Sequence, residues 1–258
     1  MLTVVSPAKR LDPAPRNWPD APVATDPAFA DRAQALAELA RGLSVADLRR
    51  LMHISEPLGR LNADRFAAFG TQDRAAALAL FAGDTYTGLE ARSLDPDALR
   101  WLCGHLRILS GLYGLLRPFD RIEPHRLEMG SRLANPAGAD LYAFWGDRIA
   151  RALNEAAAAA GTDVLINCAS VEYFTAVDRK ALALRVITPV FLDAADGGDG
   201  KIVSFWAKRA RGAMARFIAE HRLTDPRDIR EFTAGGYRHD ADLSQADRWV
   251  FRRDVSSA

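Results

Sequence analysis

Between residues 201 and 222, six lysines and arginines face a single acid, Glu220. At about 100° per residue along a helix, Ala210, Met214, Phe217 and Ile218 share one face. Lys208, Arg209, Arg211 and Arg216 share the opposite one. A cationic stripe of this kind suits phosphate, and it equally suits the solvated face of an amphipathic helix. Lys201 and Ser204 precede the stripe on a predicted strand, Ile202 to Phe205, and are placed to reach the same cleft.

A second basic stretch runs from Arg107 to Arg121 and includes Arg117. A helix predicted toward Ser110 leads into Gly111-Leu112-Tyr113-Gly114, which resembles the hairpin of a helix-hairpin-helix element. In such a hairpin, glycines let backbone N–H groups approach a phosphate, and the next helix N-terminus adds partial positive charge. A rival hairpin without glycines is His53-Ile54-Ser55. Two further clusters carry hydroxyls and carboxylates in predicted loops after apolar elements: Asp84-Thr85-Tyr86-Thr87-Gly88-Leu89, and Asn167, Ser170, Glu172 and Tyr173. There Glu172 could serve as a general base and Tyr173 as a donor or stacking surface. The alternative is turn chemistry around a packed aromatic.

The elements that must position these residues follow from local signals. Residues 1–6 read as a buried strand. Asp26-Pro27 and Asp95-Pro96 each pair an N-cap with proline at the first helical position, starting helices toward Arg41 and Ser110. Ser44-x-x-Asp47 reads as a capping box, and Ser55 and Thr71 as further caps, the last helix ending before Gly83. A long helix is expected from Ala139 to Ala160. Val164-Leu165-Ile166, Leu184 to Leu192 and Trp249 to Phe251 read as strands, with Pro189 implying an edge or bulge. The proline-rich stretch through Pro13, Pro15, Pro19 and Pro22 reads as a surface excursion, and 197–200 as a turn. The expected fold is therefore a single α+β domain over 1–258, with a mixed sheet, many helices, a helix-hairpin-helix-like element and a basic cleft.

Composition narrows the function. Of 258 residues 49% are hydrophobic and 26% charged, which excludes extensive disorder. No apolar run is long enough to span a bilayer and no signal peptide is visible, so a cytoplasmic protein without a membrane partner is expected. A formal charge of +1 argues against an overall cationic coat and leaves room for a local patch. Of 34 basic residues only Lys9, Lys180, Lys201 and Lys208 are lysines, and three of these fall inside motif segments. Cys103 and Cys168 read as buried thiols. The five histidines lack ligand spacing, so neither a metal nor a cofactor is expected. Phosphate-loop, dinucleotide, nucleophile-elbow and zinc-protease motifs are missing.

Several segments, in order, resemble the peroxide-stress protein YaaA family. They are Ser6-Pro7-Ala8-Lys9, Gly83 to Leu89, Leu109 to Pro118, Arg126 to Gly130, Leu141 to Trp145, Asn167 to Phe174 and Phe205 to Gly212. The resemblance implies a protein of the hydrogen-peroxide response that limits iron-dependent damage, binds DNA and is linked to recombinational repair. It also implies one unusual α+β fold with a positively charged cleft and a helix-hairpin-helix element, and no established catalysis. Two functions are carried forward. In the first, duplex or branched DNA is bound with low sequence specificity. Lys9, Lys201, Lys208, Arg209, Arg211, Arg216, Arg107 and Arg117 are the candidate phosphate contacts, and Gly111 and Gly114 supply amides. In the second, the same cleft holds a phosphorylated or nucleotide-like small molecule and Glu172 and Tyr173 perform chemistry.

Overall fold

In the computed structural model, which describes residues 1–12, 14, 18, 22–195 and 200–255, the apolar opening of the chain becomes the middle of a sheet. Strand β1 (Leu2–Val5) is buried along its whole length. Three helices follow: α1 (Ala30–Arg41), α2 (Val45–Met52) and α3 (Glu56–Ala67). The Ser44–Asp47 capping box is present, and α1 buries Ala33, Leu36, Ala37 and Ala40. The Arg41 guanidinium donates to the Phe66 and Phe69 carbonyls at 3.0 and 2.9 Å, tying α1 to the end of α3. Next come β2 (Ala75–Ala76), α4 (Ala77–Leu80), α5 (Asp84–Leu89) and α6 (Pro96–His105). The Asp95 carboxylate caps α6 by accepting from the Asp97 and Ala98 amides.

The chain then forms β3 (Leu106–Ser110), β4 (Gly114–Leu116), β5 (Arg121–Ile122), α7 (Leu141–Trp145) and α8 (Arg148–Ala159). The last third holds β6 (Val164–Cys168), α9 (Val171–Phe174), β7 (Arg185–Ala195), α10 (Ser204–Glu220), β8 (Arg238–Gln245) and β9 (Arg248–Val255).

The large sheet has the order β4-β3-β1-β6-β7-β9-β8. Its five central strands are parallel, and β4 and β8 close the edges antiparallel. The near-continuous apolar runs of β1 and β6 are what strands buried on both faces require. The chain places β3 on one side of β1 and then β6, β7 and β9 in turn on the other. The winding therefore reverses between β1 and β6, and open sheets of this type hold ligands beyond the carboxyl ends of the strands at such a reversal.

The expected α+β fold with one mixed sheet is the observed one. Several local expectations are corrected. The helix toward Ser110 stops at His105, and 106–110 is strand, because its buried apolar side chains are needed beside β1. The 84–89 and 171–174 segments are short helices, not loops. Residues 202–203 are not strand, since α10 already starts at Ser204. Pro189 lies inside the sheet, facing Trp249. Its missing N–H is tolerated because the β6 pairing ends at Ile187. Pro13, Pro15, Pro19 and residues 197–199 lie outside the described residues.

Candidate functional site

At the carboxyl ends of β1 and β6 the backbone opens a crevice of about 480 Å³. The two strand ends are tied together: the Ser170 amide donates to Ser6 Oγ at 2.9 Å, and Ser6 Oγ donates to Ser170 Oγ at 3.3 Å. The Tyr86 hydroxyl donates to the Ser6 carbonyl at 3.3 Å. The opposite wall is a crossing of α5 and α10 at backbone contact. A Cβ on Gly212 would sit 1.8 Å from the Thr85 carbonyl oxygen, and one on Gly88 would sit 2.0 Å from that of Arg209. Only glycine permits this approach, and it holds Asp84, Thr85 and Tyr86 at the crevice with Lys208 and Arg211.

Four cations, Lys9, Arg10, Lys208 and Arg211, line the crevice with two carboxylates, Asp84 and Glu172. Arg211 is half-buried, and burial lowers its pKa below the usual guanidinium range. Among the described residues it has no hydrogen-bond or ion-pair partner, and neither has the exposed Lys208. The half-buried Asp84 carboxylate is also unpartnered. Glu172 is held in place, its Oε1 accepting from the Gly130 amide at 3.0 Å. Burial pushes the Tyr86 and Tyr173 phenols up, with nearby Tyr173 adding to the shift at Tyr86 and Glu172 and Glu128 adding to that at Tyr173. Both are neutral donors at physiological pH. The Cys168 thiol is pushed up to about 12 by burial, which removes it as a nucleophile.

Lys9 and Glu172 also line a wider cleft of about 1050 Å³. Its walls are the end of α2 (Asp47, Arg50, Met52, His53) and residues 126–134. Lys9 Nζ stands 3.4 Å from Glu128 Oε1, and Arg126 donates to the same oxygen at 3.0 and 2.8 Å. Arg132 is exposed and, among the described residues, has no hydrogen-bond or ion-pair partner. The connection from α2 to α3 turns through His53, whose φ of 51° is left-handed, and Ser55 opens α3 without a side-chain cap. Helix, three-residue connection and helix are thus found at 53–55.

The family model described as peroxide stress protein YaaA matches residues 1–243. A UPF0246 protein of Cereibacter sphaeroides is 64% identical over 98% of this chain and 99% of its own. Others from Jannaschia and Ruegeria pomeroyi are 59% and 58% identical, over 100% and 98% of this chain and 98% of their own.

The chain belongs to the peroxide stress protein YaaA family.

Of the residues singled out in this YaaA-family chain, Lys9, Lys208, Arg211, Glu172 and Tyr173 come together at the crevice. Arg209 and Arg216 line a different cavity of about 460 Å³ with Trp206, Tyr237 and Arg253. Arg216 is a clamp: it donates to the Glu90 carbonyl at 2.8 Å and to Ser93 Oγ at 2.7 Å, and pairs with Glu220 at 2.6 Å. Lys201 is exposed, its backbone pairing with Asp193 in both directions at 2.9 Å.

The 107–121 segment corrects the glycine-hairpin reading. It is the β3–β4 hairpin, with 111–114 buried. A Cβ on Gly111 would lie 2.2 Å from the Leu127 carbonyl oxygen, and Gly114, at φ 68°, lies under the Trp145 ring. Trp145 Nε1 donates to the Gly111 carbonyl at 3.0 Å. Arg107 donates to the Cys103 and Leu106 carbonyls, and Arg117 binds Asp120 and the Asp26 carbonyl. These glycines and arginines are used within the fold. Sequence reasoning missed Arg132, which lies two residues beyond the family-like segment Arg126 to Gly130; Arg126 and Arg50 line the same cleft but are engaged by Glu128 and Asp47.

Among the described residues no helix is long and apolar enough to cross a membrane.

Proposed function

We propose that this chain binds duplex or branched DNA through backbone phosphates and acts in this way in the peroxide response. The reading rests on one observation. The wide cleft and the crevice share Lys9 and Glu172 as common lining, and unpartnered cations stand on each, Arg132 on the first and Lys208 on the second. Lys9 lies between them and lines both. Contacts of this type position the nucleic acid without reading its bases, so sequence preference is weak.

A link to iron follows from the same electrostatics. Cationic side chains that neutralise phosphates displace the cations condensed there. Ferrous iron is one such cation, and hydroxyl radical generated at a phosphate attacks the adjacent sugar. A protein covering that backbone lowers the local iron and limits the damage.

The test is fluorescence anisotropy with closed circular duplex DNA over a range of salt. Four phosphate contacts give a log–log slope of roughly −3.6. Lys208→Glu combined with Arg132→Glu weakens binding at least about tenfold by removing two cations and adding two anions. A flat salt dependence, or unchanged affinity in the folded double variant, overturns the reading.

A further inference from the structure

Among the described residues, the half-buried Arg211 guanidinium in the crevice has no hydrogen-bond or ion-pair partner. A buried cation left unpaired costs stability, and a protein retains such a group where a ligand neutralises it. We propose that the crevice between β1 and β6 is a binding site for a phosphate monoester of nucleotide size. The shared chemistry is a nucleoside 5′-monophosphate, supplied either as the free nucleotide or as the 5′-phosphorylated end of a DNA strand. The site does not depend on the duplex-binding reading; only its second source does.

Four observations converge on this ligand. The site stands where the sheet reverses its winding, the usual ligand position in an open parallel sheet. Its volume of about 480 Å³ lies within the range of small-molecule sites. Two unpartnered cations, Arg211 and Lys208, match a monoester, which carries close to two negative charges at neutral pH, better than a diester or carboxylate with one. The ligand must also bring hydrogen-bond donors. Asp84 is half-buried and unpartnered, and a carboxylate there accepts from hydroxyl or amino groups that inorganic phosphate lacks. The Tyr86 and Tyr173 phenols, kept protonated by burial, line the remaining wall.

Arg211 Nη groups are thus assigned to the phosphate oxygens, with Lys208 at the mouth. Asp84 is assigned to the sugar or base.

Isothermal titration of the full chain with deoxyadenosine 5′-monophosphate tests the assignment, with deoxyadenosine and inorganic phosphate as controls. Saturable binding of the nucleotide is expected, with competition by inorganic phosphate and none by deoxyadenosine. Arg211→Gln weakens it about tenfold to a hundredfold, the usual loss for a charge-assisted bond. The same variant melts at the parent's temperature or higher, because Arg211 makes no hydrogen bond or ion pair among the described residues. A residue with a purely structural role would lower that temperature. Should Arg211→Gln fail to fold, the exposed Lys208→Gln takes its place, with weakening of about tenfold.

Nucleotide binding undetectable at millimolar concentration overturns the proposal. So do binding of deoxyadenosine as tight as that of the nucleotide, and folded variants that bind like the parent. Displacement of the nucleotide by a 5′-phosphorylated linear duplex, and not by its dephosphorylated counterpart, assigns the DNA end as the source. Displacement by neither assigns the free nucleotide. Closed circular DNA, which has no ends, reports on the duplex track alone, so loss of one reading leaves the other standing.

Discussion

The β3–β4 edge and the β1–β6 crevice carry the same residue types, glycines beside arginines, and use them in opposite ways. At the edge, Gly111 and Gly114 make room for the Leu127 carbonyl and the Trp145 ring, and Arg107 and Arg117 are bonded to carbonyls and to Asp120. At the crevice, Gly88 and Gly212 bring two helices to backbone contact, which leaves Arg211 and Lys208 beside a cavity with nothing to hold. A basic residue is therefore diagnosed by what already satisfies it. Within α10 alone the contrast recurs, with Arg216 engaged by Glu220, Glu90 and Ser93, and Arg211, among the described residues, without a hydrogen-bond or ion-pair partner.

The strongest challenge to this contrast is Gly111→Val. Its Cβ would overlap the Leu127 carbonyl, so the variant is expected to lose at least about 3 kcal/mol or fail to fold. A normal urea midpoint with lost DNA affinity would make the edge a binding element after all.

Next in size is a pH effect confined to the edge. His125 is buried beside Tyr113, and burial depresses its pKa from 6.5 to about 4. Above pH 6.5 both folded and unfolded states are neutral there and stability is full. As pH falls toward 4 the unfolded chain takes up a proton that the folded one refuses, and stability is lost. Urea titrations at pH 7 and pH 5 should differ by about 2 kcal/mol from this group, and His125→Phe should flatten the difference.

Comparable in size is Arg216→Met, which is expected to cost about 2 kcal/mol by removing charge-assisted bonds. Arg211→Met should cost nothing or gain about 1 kcal/mol. Thermal melts of the pair decide whether the two faces of α10 differ as described; equal losses would erase the distinction. The smallest effect is a null one. With Cys168 pushed up to about 12 and Cys103 to about 11 by burial, neither thiol of the native protein should react with iodoacetamide at pH 7.

Much of this was legible in the chain. The Ser44–Asp47 box, the Asp95-Pro96 cap, the apolar β1 and β6 and the amphipathic α10 are each set by local chemistry, and each stands where its signal put it. What local chemistry could not supply was partnership. Leu109 to Gly114 reads alike as helix end or strand, and only the neighbouring β1 decides it. Of the groups that hold Arg216 only Glu220, one helical turn on, is local; Glu90 and Ser93 lie more than a hundred residues away, so its difference from Arg211 is only partly visible in the chain. The Gly88–Gly212 crossing was invisible for the same reason.

The central position of β1 also governs how the chain is made. Leu2–Val5 emerges long before its two neighbours, Leu106–Ser110 and Val164–Cys168. At ordinary rates of translation the gap to the second neighbour is roughly ten to thirty seconds. Both edges of this apolar strand are open until Leu106–Ser110 emerges, and one stays open to other nascent chains until Val164–Cys168 follows. The sheet therefore cannot close on both sides of β1 until β6 has been made. It closes late and through sequence-distant contacts, which makes it slow and open to aggregation before closure. Slowed synthesis would lengthen that interval, whereas a surplus of chaperone would shelter it.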